Sequence, residues 1–278
     1  MYALIAAITQ AGGVILDKVI LTRRRVEIHV FIPVLFLFLF LFTAIFYPYL
    51  GKINSEFFEI KNLVLFIVLL ITAVIWNIFY YQAIQLEKVQ ESELILMFQP
   101  LLTIVLASIF FKNESSLGVQ IAAIIAALAL IFSQIQKNHF EFSSGASKMI
   151  LAVVLMSIEL ILIRVALNFL SPVALYAIRT GIIFLFFYFY YHPKIFRVSN
   201  INTIFIIINA ILATVQMISK FYGFETLGVV YTSLILILAP LLVYLASSYF
   251  LHEKLKNRTV ISALVILVCI VYATVLGK

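Results

Sequence analysis

Ten apolar stretches, each close to the length of a membrane span, limit this chain more than any other feature. They cover roughly 3–22, 29–49, 63–86, 92–111, 118–135, 149–167, 172–191, 203–226, 229–251 and 260–276. At ~1.5 Å rise per residue, about 20 apolar residues cross the hydrocarbon core of a bilayer. Inside that core each backbone group needs a partner within the protein, so the runs are expected to be helices. A closed β-barrel would show segments of alternating polarity, and these runs do not alternate. Composition agrees, since 65% of the 278 residues are apolar, 11% are charged and the mean hydropathy is +1.18. Soluble domains carry about a quarter charged residues, so a water-soluble enzyme is excluded. With 9 Gly and 6 Pro, a collagen-like or disordered chain is excluded as well.

The breaks hold most of the charge. Arg23-Arg24-Arg25 closes the first run, Gly51-Lys52 the second and Glu87-Lys88 the third. The net charge of +7 reads as loop Lys and Arg that set membrane orientation, and no nucleic-acid partner is expected. Cys269 is the only cysteine, which rules out an intramolecular disulfide and a Cys-based metal site. No cofactor or metal is expected. The first run has no basic segment before it and no small-residue cleavage site before Lys18, so it is expected to be retained. His252-Glu253-Lys254-Leu255-Lys256 lacks the second His of a zinc-binding helix, and neither a nucleophile elbow nor a phosphate-binding loop occurs. The chain is therefore expected not to be an enzyme.

Laying 80–124 over 220–264 without a gap gives 11 identities in 45 positions. Pro100-Leu101-Leu102 falls on Pro240-Leu241-Leu242, and Leu94-Ile95-Leu96 on Leu234-Ile235-Leu236. The longest polar stretch, Gln136 to Lys148, lies at the midpoint. The expected organisation is a five-helix repeat over 1–136, a polar linker over 137–148 and a second five-helix repeat over 149–278. Five crossings start the second repeat on the opposite side of the membrane from the first. The fold class expected is thus an all-α membrane protein of ten helices in two inverted repeats, an arrangement that places a site near the midplane.

Ionisable groups inside spans cost roughly 2.5–3.5 kcal/mol at a helix centre and usually face a bundle interior or a cavity. Asp17, Lys18, Glu159, Arg164, Arg179 and Lys220 are such groups. Glu159, mid-span, is the candidate proton or cation coupling site. Its alternative is a structural carboxylate paired with Arg164 or Arg179. Asn209, Gln216 and Lys220 share one helical face, as do Gln10, Gly13 and Asp17. Trp76 and Tyr80 share a face of the third run, Asn77 and Tyr81 the next, and the repeat alignment sets Trp76 on Gln216 and Tyr80 on Lys220. Gln10, Trp76, Tyr80, Gln216 and Lys220 are therefore expected to line a central solute cavity, with interhelical hydrogen bonding as the plainer alternative. Pro100 and Pro240 lie inside helices, where proline removes a backbone donor, and are hinge candidates.

Several stretches carry a family resemblance. Tyr222-Gly223 to Thr232, then Leu234–Pro240, then Phe250-Leu251-His252-Glu253-Lys254, resemble a repeat of the EamA-type drug/metabolite transporter superfamily. Arg164-Val165-Ala166-Leu167 through Leu170-Ser171-Pro172 to Arg179 resembles the junction between the first two helices of such a repeat. The resemblance implies two five-helix units and cytoplasmic termini. Loop charge implies the reverse. Odd-numbered loops hold 11 Lys and Arg and even-numbered loops three, which would put both termini outside. The side of the termini is thus open at this point.

The expected function is secondary transport or facilitation, as an exporter, of a small polar or amphipathic metabolite such as an amino acid. It would work by alternating access at the midplane cavity of an integral multi-pass protein of the cell (inner) membrane. A flippase for lipid or lipid-linked substrates on the same fold is the alternative. The expected partners are a small-molecule solute and the bilayer itself, with a homodimer left open.

Overall fold

The computed structural model describes residues 1–24, 26–86, 95–96, 98–111, 117–134, 144–193, 199–239, 242 and 257–275. The helices are α1 (Tyr2–Lys18), α2 (Ile28–Leu50), α3 (Ile60–Leu86), α4 (Phe98–Phe110), α5 (Leu117–Gln134), α6 (Ser144–Ala166), α7 (Pro172–Tyr191), α8 (Asn200–Leu236) and α9 (Asn257–Val275). Six of them, α1 with its π-helical extension, α2, α3, α6, α7 and α8, are long and apolar enough to cross a membrane. Among the described residues the only β pairing is an isolated bridge between Ile53 and Leu170.

Local sequence explains several helix ends. Ser171 caps α7 by accepting from the Ala174 amide at 3.3 Å, and Pro172 occupies the first turn, where its missing N–H costs nothing. Ser199 caps α8 in the same way through Asn202. The gap expected between 226 and 229 appears as a break inside α8. Gly228 has φ 80° and ψ 169°, a conformation essentially reserved for glycine, and it divides the element into limbs 200–227 and 229–236. Two ends differ from the sequence reading. Helix α6 begins at Ser144 instead of 149, because Gly145, Ala146 and Met149 are buried, so helical packing reaches into the expected linker. Helix α1 ends in a π-helical turn over Val19–Arg23. Pro240 and the Glu253 turn lie outside the described residues.

The packing pairs helices of the first half with helices of the second: α1 on α8, α3 on α6, α2 on α7 and α5 on α9. Each of the first three pairs runs antiparallel. Tyr2 stacks on Tyr222 while Asp17 bonds Asn209. Phe57 beside α3 meets Phe169 just beyond α6, while Trp76 reaches Glu159. In the third pair Phe36 touches Phe187, and Leu50 accepts from Ser171. Small residues permit close approach, as interfaces between helices in membranes require. A Cβ at Gly181 would lie 2.9 Å from the Phe40 ring. Polar side chains of the spans turn into the otherwise apolar interior: on α3, Thr72 and Asn77 are buried while Val64, Ile67 and Ile71 are exposed, as lipid-facing residues are.

At one end the α2–α3 connection and the α6–α7 connection are bonded to each other. The Asn54 amide donates to Phe169 O and the Ser171 amide to Lys52 O, both at 3.0 Å. The Ser171 hydroxyl donates to Leu50 O and accepts from the Lys52 amide, both at 2.9 Å. At the other end Arg24 lies over the Phe205 ring, 5.0 Å from its centroid.

Candidate solute cavity

The helix pairs enclose a cavity of about 230 Å³ between the two halves. Helices α1, α2, α3, α6, α7 and α8 all contribute to its wall, as does Gln99 of α4. The five residues expected in a solute pocket, Gln10, Trp76, Tyr80, Gln216 and Lys220, all face this one space, and so do Glu159 and Arg179. The sequence faces explain why. Gln10, Gly13 and Asp17 form one stripe of α1, and Asn209, Gln216 and Lys220 one stripe of α8, and both stripes turn inward. On α3 both neighbouring faces reach the cavity, because Asn77 and Tyr81 join Trp76 and Tyr80.

A buried ion pair sits in the wall. Arg179 Nε donates to Glu159 Oε1 at 2.6 Å, with both side chains 3% exposed. The second carboxylate oxygen accepts from Trp76 Nε1, also at 2.6 Å. Both oxygens of Glu159 are thus engaged, one by charge and one by the indole, which is the satisfaction a buried carboxylate needs. Of the two expected charge partners the structure brings only Arg179 to Glu159. Arg164 lies elsewhere, donating to Asn168 Oδ1 at 3.3 Å with its guanidinium 5.9 Å from the Phe111 centroid. The reason is angular: five residues separate it from Glu159, about 140° around the helix. Pro100 lies within α4, and the helix continues through it from Phe98 to Phe110.

A second polar contact spans the halves. Asn209 Nδ2 donates to Asp17 Oδ1 at 2.7 Å, which joins α8 to α1. Gln10 Oε1 and Asn77 Oδ1 are buried and have no hydrogen-bond partner among the described residues. Sequence reasoning did not single out Tyr176 or Gln99 for the wall. Tyr176 follows the Ser171-Pro172 cap by one turn, so the helix start could have located it. Gln99 lay next to Pro100 without any periodic pattern to mark it.

Among the described residues no cluster of His, Cys, Asp and Glu could hold a metal. What the cavity can do is bind: it offers fixed charges of both signs, amide groups and aromatic edges within the bundle.

The chain matches none of the curated proteins at a significant level. Among solved structures 29 chains match significantly. One, described only as the crystal structure of a protein, superposes with a TM-score of 0.71 at 13% identity, over 98% of this chain and 97% of the other. Identity that low carries the fold alone. Residues 143–275 match the EamA-like transporter family. Over those residues the chain is similar to an EamA-type transporter unit, and its long apolar helices make the protein a multi-pass membrane protein.

Proposed function

We propose that this protein is a secondary transporter or facilitator, working as an exporter, that moves a small polar or amphipathic metabolite by alternating access. The observation that carries this reading is the cavity between the halves, with polar side chains supplied by α1 and α3 on one side and α6, α7 and α8 on the other. In this reading the chain is two five-helix units of inverted topology. The antiparallel packing of α2 against α7, the second helix of each unit, supports the inversion, as does the ungapped overlay of 80–124 on 220–264. Inverted units place their shared site at the contact between them. The bonded connections at 50–54 and 168–171 serve as the closed gate, and the solute passes at the opposite end when the gate is shut.

Glu159 and Arg179 neutralise each other and fix α6 against α7 beside the solute, while Lys220 supplies the positive charge that holds an anionic group. The wall favours a soluble metabolite over a lipid, because charged and amide groups come from six helices around it. Reconstitution into proteoliposomes tests the reading. Efflux of preloaded amino acids and related metabolites is expected, saturable and lowered at least tenfold by Lys220→Met. Flux of fluorescent lipid between leaflets with no solute efflux would replace this function with that of a flippase.

A further inference from the structure

Four acidic or basic side chains line the cavity: Asp17, Glu159, Arg179 and Lys220. Glu159 and Arg179 are committed to each other, and Trp76 takes the remaining oxygen. That leaves one carboxylate and one ammonium. Lys220 is 6% exposed and, among the described residues, makes neither hydrogen bond nor ion pair. Asp17 has a neutral partner, the Asn209 amide on Oδ1. Uncompensated charges inside a span are expensive, and here two of opposite sign face the same space.

Their separation is set by α8. Asn209, which marks the position of the Asp17 carboxylate, and Lys220 are 11 residues apart, which is about 16 Å of rise and only about 20° of turn. They therefore lie on one line along the cavity wall, with Gln216 between them. Side chains lean toward the N-terminus of their own helix, so the Lys220 stem reaches back along this line and narrows the gap. The termini of a single α-amino acid are within about 3.5 Å, too short to meet both poles. The same wall offers the apolar Phe36, Leu39 and Met217, together with Gln10 Oε1 and Asn77 Oδ1, which have no hydrogen-bond partner among the described residues.

We infer that the cavity binds an extended zwitterion, with its carboxylate at Lys220, its ammonium at Asp17 and an apolar spacer along the wall that joins them. This assignment rests on the reading of the cavity as a solute site.

The protein carries its own probe, because Trp76 is its single tryptophan and lines the cavity. Purified full-length protein is titrated by Trp fluorescence with glycine, γ-aminobutyrate, ε-aminocaproate, hexanoate and hexylamine. ε-Aminocaproate is expected to bind at least tenfold more tightly than glycine or hexanoate. Asp17→Asn is expected to lower ε-aminocaproate affinity about tenfold and to leave hexanoate unchanged, which also shows an intact cavity. Lys220→Met is expected to weaken ε-aminocaproate and hexanoate and to leave hexylamine unchanged. Equal binding of glycine and ε-aminocaproate, equal loss of hexanoate in Asp17→Asn, or no binding of ε-aminocaproate overturns the inference. If ε-aminocaproate fails to bind while proteoliposomes export another metabolite, the inference falls and transport stands. If it binds and no solute is exported, transport falls and the site stands.

Discussion

The Trp76 indole on α3 and the Arg179 guanidinium on α7 grip opposite oxygens of Glu159 at equal distances of 2.6 Å. One carboxylate thus ties three helices from both halves of the chain at the cavity wall. Removing one member of a buried ion pair costs about 3–5 kcal/mol, because the other is left charged without a partner. Glu159→Gln and Arg179→Met are each expected to lower the thermal unfolding temperature strongly. The double variant Glu159→Leu with Arg179→Met should recover most of that loss. If Glu159→Gln unfolds with the parent protein and alters only the pH dependence of transport, Glu159 is a coupling site and not a strut.

Gly228 gives the second prediction. Its φ of 80° with ψ of 169° is closed to residues bearing a Cβ, at a cost of order 1–3 kcal/mol. The turn it makes brings the two limbs of α8 so close that a Cβ on Gly223 would lie 2.9 Å from Thr232 Cγ2. Gly228→Ala should therefore destabilise the protein by roughly that range, and Gly223→Val should do so by overpacking, typically about 1–3 kcal/mol. Thermal unfolding followed by tryptophan fluorescence measures both, and unchanged midpoints would refute the close contact.

Ser171 is the side chain at the centre of the bonded loops, donating to Leu50 O and accepting from the Lys52 and Ala174 amides. Ser171→Ala removes these bonds and the α7 cap, at about 1–2 kcal/mol. The end closed by these loops should then open more often. Cys269 is the only cysteine, so Gln216→Cys in a Cys269→Ser background places one thiol in the cavity. A membrane-impermeant maleimide applied to the side of these loops should label it faster with Ser171→Ala than without. Equal rates would show that the loops do not gate that end.

Orientation is testable from loop charge. The end bearing Arg23, Arg24 and His192 belongs to the odd-numbered loops, which carry 11 basic residues against three. That bias predicts a cytoplasmic location for this end and external termini. Alkaline phosphatase fused to the C-terminus should be active, and a fluorescent protein fused there should stay dark. The opposite result would follow the orientation that the family resemblance implies.

Much of this architecture was readable from residue order. The Pro172–Tyr191 helix agrees with its apolar run at both ends, because a Ser-Pro cap and His192, with φ of 46°, punctuate it. The inward stripes of α1 and α8 were readable because a polar residue in a span has few places to go. The choice between Arg164 and Arg179 as partner of Glu159 was half readable: about 140° of turn disfavours Arg164, while the reach of Arg179 depends on how α6 meets α7. The Asp17–Asn209 bond was hidden for a similar reason, as it joins residues 192 apart. The π-helical turn at Val19–Arg23 left no trace, because it follows from how α1 leaves its packing against α8.

The donors and acceptors that join Lys52 and Asn54 to Phe169 and Ser171 are chiefly main-chain atoms. The bonds of this seam are consequently indifferent to which side chains stand at Ile53 and Leu170, although Leu170 is buried in the apolar core and Ile53 packs against it, so their own packing still matters. Register is another matter: inserting or deleting one residue in either connection would misalign every partner at once. Proline at 52, 54 or 171 would delete a donor outright. The device is written in the spacing of the chain more than in its letters.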